Sequence, residues 1–198
     1  DKIEPGYQAH EITDRFFTGG ISGIFGNMPE NMRLCLFGNF KPFGSIGGEV
    51  YGVIGTVKDT RDDTDLNFGL GFSLHYRVMQ TSSFSLGPVI NIPFDFHMRQ
   101  DDADESHTVL LPITSPRLGW QSEIMLSPKI DLVIRGEYVL TSANLGNWTY
   151  TEEQKGDEDE TKTWNANWDN RGAPEINYEG WMLNVGIRST FFSSFTFE

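Results

Sequence analysis

The sequence predicts an all-β fold: an eight-stranded antiparallel up-and-down β-barrel built from the whole chain, residues 1–198, as a single domain. Three observations carry this expectation. Apolar and non-apolar residues alternate with period two in eight segments, as the two faces of a strand require. No stretch shows the 3.6-residue period of an amphipathic helix. Glycine (21 residues) and aromatics (13%) are abundant, a composition suited to strands and tight turns.

Taken in order, the first segment spans 15–25 (RFFTGGISGIF) and reaches the second, 32–43 (MRLCLFGNFKPF), through the short GNMPEN. The third, 48–58 (GEVYGVIGTVK), follows GSIG. The fourth, 66–79, has the clearest alternation. Phe68, Leu70, Phe72, Leu74, Tyr76 and Val78 fall on one side, and Asn67, Gly69, Gly71, Ser73, His75 and Arg77 on the other. After the turn QTSS the fifth, 84–98, repeats the pattern with Leu86, Ile90, Ile92, Phe94 and Phe96 against Ser85, Asn91, Asp95 and His97. Pro88 and Pro93 lack the amide hydrogen that a ladder needs, so an irregularity is expected in this strand. The sixth, 117–126 (RLGWQSEIML), turns at Ser127–Pro128 into the seventh, 129–141 (KIDLVIRGEYVLT), and 180–192 (GWMLNVGIRSTFF) completes the set. Tight turns fix register. They place His75 opposite residue 87 or 89, and Glu123 one diagonal step from Arg135, an expected ion pair.

The connections divide by length. In a meander, 59–65, 99–116 and 142–179 lie at one end, and the tight turns and both termini lie at the other. Segments 59–65, 101–105 and 149–179 hold 17 of the 28 acidic residues, so charge gathers at the long-connection end. Loop 142–179 is both acidic and aromatic.

Alternation alone leaves open which face meets water. In a soluble lipocalin or calycin-like barrel the apolar side points inward, and Phe68, Phe72, Ile90, Phe94 and Ile134 would enclose a small apolar ligand. In a transmembrane barrel the apolar side meets lipid and the other side fills the lumen. The non-apolar face is rich in Gly, Ser and Asn, whereas a solvated strand face carries Lys, Glu and Thr. Small residues inside a narrow barrel leave room for a few long ones. The alternation also exceeds the ~9–11 residues that a tilted strand needs to cross a bilayer. Phe94, Phe96, Trp120, Tyr138, Trp181 and Phe191 sit toward strand ends, where interfacial girdles form. The polar face mixes signs: His75, Arg77, Asp95, His97, Arg99, Glu123, Asp131, Arg135, Glu137 and Arg188 form a candidate polar network in the lumen. Enclosed charges of both signs must pair.

On these residues the chain resembles the small bacterial outer-membrane β-barrels of about eight strands. The resemblance rests on NFGLGFSLHYRVM–QTSS–FSLGPVINIPFDF, on SEIMLSPKIDLVIRGEYVL and on WMLNVGIRSTFF. It is one of pattern and covers most of the chain. It implies a bacterial outer-membrane location after signal-peptide removal, with outer-membrane lipid as the immediate partner. The start at Asp1 fits such a mature chain or a shortened one. Members usually end on an aromatic residue. Here Phe197 is penultimate, in FTFE.

Several functions are excluded or left without support. A net charge of −13 argues against nucleic acid. One cysteine, Cys35, allows no intramolecular disulfide. Ser73, His75, Asp95 and His97 share a face, yet His75 and Asp95 are far too distant along the barrel for a triad. No G-x-S-x-G elbow occurs. Asp95, His97 and Arg99 share one wall, where mutual satisfaction explains them better than a metal does. EEQKGDEDETK lacks the spacing of a calcium loop. No enzyme, cofactor or metal site is expected. Trp148, Tyr150, Trp164, Trp168 and Tyr178 are the candidate loop surface for an extracellular protein or glycan, or else a cap folded over the barrel. The sequence-level reading is a structural, adhesive or receptor-like barrel rather than a general porin.

Overall fold

Alternating side chains commit most of the described residues to strands. The computed structural model describes residues 17–26, 32–39, 45–58, 64–100, 108–154, 160–166, 168, 173, 174, 176, 178 and 180–192. The strands are β1 (Phe17–Gly26), β2 (Met32–Asn39), β3 (Ile46–Lys58), β4 (Thr64–Tyr76), β5 (Met79–Gln80), β6 (Phe84–Gln100), β7 (Thr108–Thr114), β8 (Arg117–Ser127), β9 (Ile130–Val139), β10 (Ala143–Asn144), β11 (Thr149–Gln154), β12 (Glu160–Asn165) and β13 (Trp181–Phe192). They form one antiparallel sheet, without a helix among the described residues.

All eight segments read from the sequence are present, as β1, β2, β3, β4, β6, β8, β9 and β13. Their neighbours follow chain order, with β13 pairing both β1 and β9. β8 pairs β9 on one side and the first half of β6 on the other. The registers follow the turns: His75 faces Val89, and Gln121 faces Arg135.

Five further strands appear, four of them in segments read as connections and β5 at the junction of the fourth segment with its turn. The most consequential is β7, inside 99–116, which pairs the second half of β6 from Phe94 to Gln100. β11 and β12 form a hairpin within 142–179, joined to β7 at Thr149–Leu110. The run TVLLPIT carried a signal for β7, with Val109, Leu111 and Ile113 at alternate positions. Pro112 and the apolar Leu110 obscured it. The acidic stretches 59–63, 101–107 and 155–159, the connection 27–31 and the end with Phe197 lie outside the described residues, as do the side chains of Trp164 and Phe191.

The expected irregularity takes a different form at each proline, and β6 itself runs unbroken for 17 residues. Pro93 sits where the partner changes, between Asn91–Arg117 of the β8 ladder and Phe94–Thr114 of the β7 ladder. Thr114 Oγ1 donates to the Pro93 carbonyl at 2.6 Å, so Pro93 turns its backbone toward this changeover. The amide and carbonyl of a strand residue point the same way, and the missing N–H therefore falls where no ladder bond is due. Pro88 faces the other neighbour at the point where β4 has ended at Tyr76 and β5 resumes at Met79. Three steps of chain there oppose two of β6, which is a bulge. The irregularity is in the facing strand.

Burial separates the two sides of the sheet. On β4 the exposed set is Phe68, Leu70, Phe72, Leu74 and Tyr76, and the buried set includes Asp65, Asn67, Ser73 and His75. Leu70 is 67% exposed, whereas Arg135 and Glu137 are 1% and 0% exposed. This inverts the arrangement of a water-soluble protein, where large apolar patches are covered and charges are not.

Candidate functional site

Every one of the expected network residues His75, Arg77, Asp95, His97, Glu123, Asp131, Arg135, Glu137 and Arg188 is buried, and Arg99 is partly so. The long side chains fit because glycines stand beside them. A Cβ on Gly71 would strike the ring of Tyr51, and one on Gly69 would strike the carboxylate of Asp95. The space thus serves side chains of the adjacent strands β3 and β6. Gly71→Ala is expected to cost about 1–3 kcal/mol, the range for overpacking a filled interior, read as a lower urea midpoint of the folded protein.

Nearest the tight turns, Glu123 on β8 is the hub. Its Oε2 accepts from Arg77 Nε at 2.9 Å and from Ser85 Oγ at 2.8 Å. Its Oε1 accepts from Arg188 Nη1 and from Gln121 Nε2, both at 2.8 Å. His75 Nδ1 lies 3.5 Å from Oε1 and 3.2 Å from the Gln121 amide. Arg188 reaches on to Glu49 Oε2 at 3.1 Å, and Arg135 meets Glu49 Oε1 at 3.0 Å. The expected Glu123–Arg135 pair does not form. Arg135 donates from Nε to Gln121 Oε1 at 2.7 Å, its cross-strand neighbour, and sends Nη2 across the interior to β3. Arg77 and Arg188 already fill the positions around Glu123.

Higher up, the Tyr51 hydroxyl donates to Asn91 Oδ1, and Asn91 Nδ2 donates to Glu137 Oε1 at 2.9 Å. Arg117 stands 3.9 Å from Asp95, donates to Ser115 Oγ at 3.2 Å and touches Met182 Sδ at 3.0 Å. Arg99 lies 3.5 Å from Asp65, and its guanidinium is 5.7 Å from the ring centre of Trp168. A hollow of about 10 Å³ beside Ser22, Glu49, Arg135 and Arg188 has room for about one water.

At the long-connection end the buried face turns apolar. Val109, Leu111 and Ile113 of β7 join Ile24, Val139 and Met182 beneath Trp148, Ile176 and Tyr178. Here apolar side chains gather on the inward face and build a roof, whereas the rest of that face is mainly small and polar. Trp148 Nε1 donates to the Pro174 carbonyl at 3.1 Å, and its ring meets Trp168 at 5.5 Å. Trp148 and Tyr178 are 5% and 1% exposed, and Tyr150 and Trp168 pack partly buried against the cluster. Of the aromatics proposed as an outer binding surface, Trp148, Tyr150, Trp168 and Tyr178 are thus engaged within the chain.

The remaining candidates are placed as plainly. Phe68, Phe72, Ile90 and Phe94 are 38–51% exposed, and Ile134 lies on the same outward side. The internal apolar cavity of a calycin-like barrel is therefore not formed, because these side chains point away from the enclosed face. Ser73 faces Asn91, and His75 faces Val89, well down the ladder from the Gly69–Asp95 pair. Among the described residues no three His, Cys, Asp or Glu side chains gather to hold a metal.

A scan against protein-family models finds no match, and neither does a comparison with curated protein sequences. Among solved structures the chain is similar to a major outer membrane protein from Thermus thermophilus, with a TM-score of 0.59 and 14% identity. The match covers 88% of this chain and 98% of that one. At this identity the likeness concerns the fold.

Proposed function

We propose that the chain is an integral bacterial outer-membrane protein: a closed eight-stranded barrel with a lumen filled by side chains, carrying its long connections on the outer side. The observation that carries the reading is the inverted burial. On β6 every outward residue from Leu86 to Phe96 is apolar, and inward from it lie Ser85, Asn91, Asp95 and His97. Hydrocarbon is the environment in which that outer face is stable.

Strand pairing supports closure. Starting at Asp95 and stepping through Gly69, Val53, Arg33, Ser22, Gly186, Val133 and Glu123, the ladder returns to β6 at Ser85, ten positions from its start. Eight strands with that stagger tilt by roughly 40° at ordinary strand spacing and rise. At this tilt the ten steps from Leu86 to Phe96 project about 25 Å along the axis, the height of an outer-membrane apolar band. The structural neighbour, whose name describes it as an outer membrane protein, agrees with this assignment. Tyr138 and Trp181, 4.9 Å apart, and Phe68 and Phe96, 5.7 Å apart, are exposed aromatic pairs suited to the girdle on the long-connection side.

A filled lumen suits a structural, adhesive or receptor-like role in which the barrel anchors the acidic connections, with lipid as its immediate partner and an extracellular protein or glycan as the outer one. The test is fractionation of the full-length precursor with heat-modifiable gel migration. The protein should pellet with outer membranes, need detergent for monodispersity and shift its migration on boiling. A chain monodisperse in plain buffer would overturn the reading. In planar bilayers the plugged interior should give no stable steps of porin size.

A further inference from the structure

We propose that Asn67, His97 and the Tyr178 hydroxyl form a closed internal site that holds water between the ion-paired interior and the apolar roof. Asn67 and His97 are direct cross-strand partners of β4 and β6 on the buried face, and both are 0% exposed. Tyr178 descends from the roof with its ring centre 5.3 Å from that of His97. Neither ring nitrogen of His97, neither polar atom of Asn67 nor the Tyr178 hydroxyl has a hydrogen-bond partner among the described residues. On the other side of Asn67 stands Gly55, which brings no side chain. Facing His97 across β6 is Leu111, which brings no polar atom.

Buried polar groups are bonded in native proteins, and where no side chain serves, bound water does. The chemistry of the surroundings selects a neutral occupant. Arg99 lies by Asp65 above the site and Arg117 by Asp95 below it, at 3.5 and 3.9 Å, so neither a cation nor an anion finds an uncompensated field. An amide, an imidazole and a phenol each supply donors and acceptors, and water answers both. Tyr178, 1% exposed and in ring contact with His97, ties the site to the roof.

The experiment uses the full chain folded in detergent micelles with ¹⁵N-labelled histidine, together with a crystal structure resolving ordered solvent. The expected result is solvent density within hydrogen-bond distance of His97 and Asn67, and magnetisation transfer from long-lived water to the His97 ring. Tyr178→Phe keeps the ring on His97 and removes only the hydroxyl. It should weaken that transfer, and its shift in urea midpoint should be non-additive with that of Asn67→Leu, because both touch the same water. His97 bonded directly to a protein group with no transfer from water would overturn the proposal, as would additive shifts in the two variants.

Discussion

Glu123→Ala is expected to weaken the folded protein by about 3–5 kcal/mol, the range for removing one partner of a buried ion pair. This is the largest single-residue effect the interior predicts. Both carboxylate oxygens carry two donors each, and Arg77 and Arg188 are held between them. Without the carboxylate, Arg77 loses a buried charge partner, and Arg188 loses one of the two carboxylates it bridges, keeping Glu49. The measurement is the urea midpoint of the heat-modifiable band in lipid vesicles. Glu123→Gln keeps an acceptor and the side chain's volume, so its loss should be smaller. Combining Glu123→Ala with Arg188→Ala should cost less than the two losses together, because each removes the other's unmatched charge. Equal and additive effects for all these variants would show that the cluster is not coupled.

Leu74→Arg is expected to cost about 2–4 kcal/mol, as an arginine does at the bilayer midplane. Leu74 is 50% exposed and stands opposite Ile90, which lies near the middle of the outward run of β6 from Leu86 to Phe96. The same change at Tyr138, which pairs with Trp181 beside the long connections, should cost only about 0–1 kcal/mol, because the penalty fades toward the interface. The comparison needs both variants refolded into the same vesicles. On a surface facing water, an exposed leucine replaced by arginine would change stability by about 0.5 kcal/mol or less. A flat response across depth would therefore remove hydrocarbon from the account of the outer face. Leu74→Phe serves as the control, since it keeps the face apolar and should be nearly neutral.

Both predictions use residues whose sidedness was legible before any coordinates. Leu74 and Glu123 fall on opposite faces by period two alone. The small and polar makeup of the Glu123 face marked it as the interior. The β4–β6 and β8–β9 registers followed from QTSS and Ser127–Pro128, because a tight turn leaves a hairpin little freedom. β7 was not legible. Its Val109, Leu111 and Ile113 face inward, where most large apolar residues of the long strands face outward, and Pro112 interrupts the run. The service of Pro93 at a change of partner was equally hidden, since it depends on β8 leaving β6 where β7 joins.

By itself the sequence determined the eight long strands, their order, their registers across the tight turns and the chemistry of each face. These are properties of a repeating backbone and its nearest neighbours, and they are written locally. Only the tertiary structure decided that Arg135 turns to Glu49 instead of Glu123, that Arg188 links Glu123 to Glu49, and that Trp148 and Tyr178 pack into a roof. Such contacts join strands that share no ladder. They depend on how the sheet curves and how far its register staggers, quantities set by all the strands together and carried by no single segment.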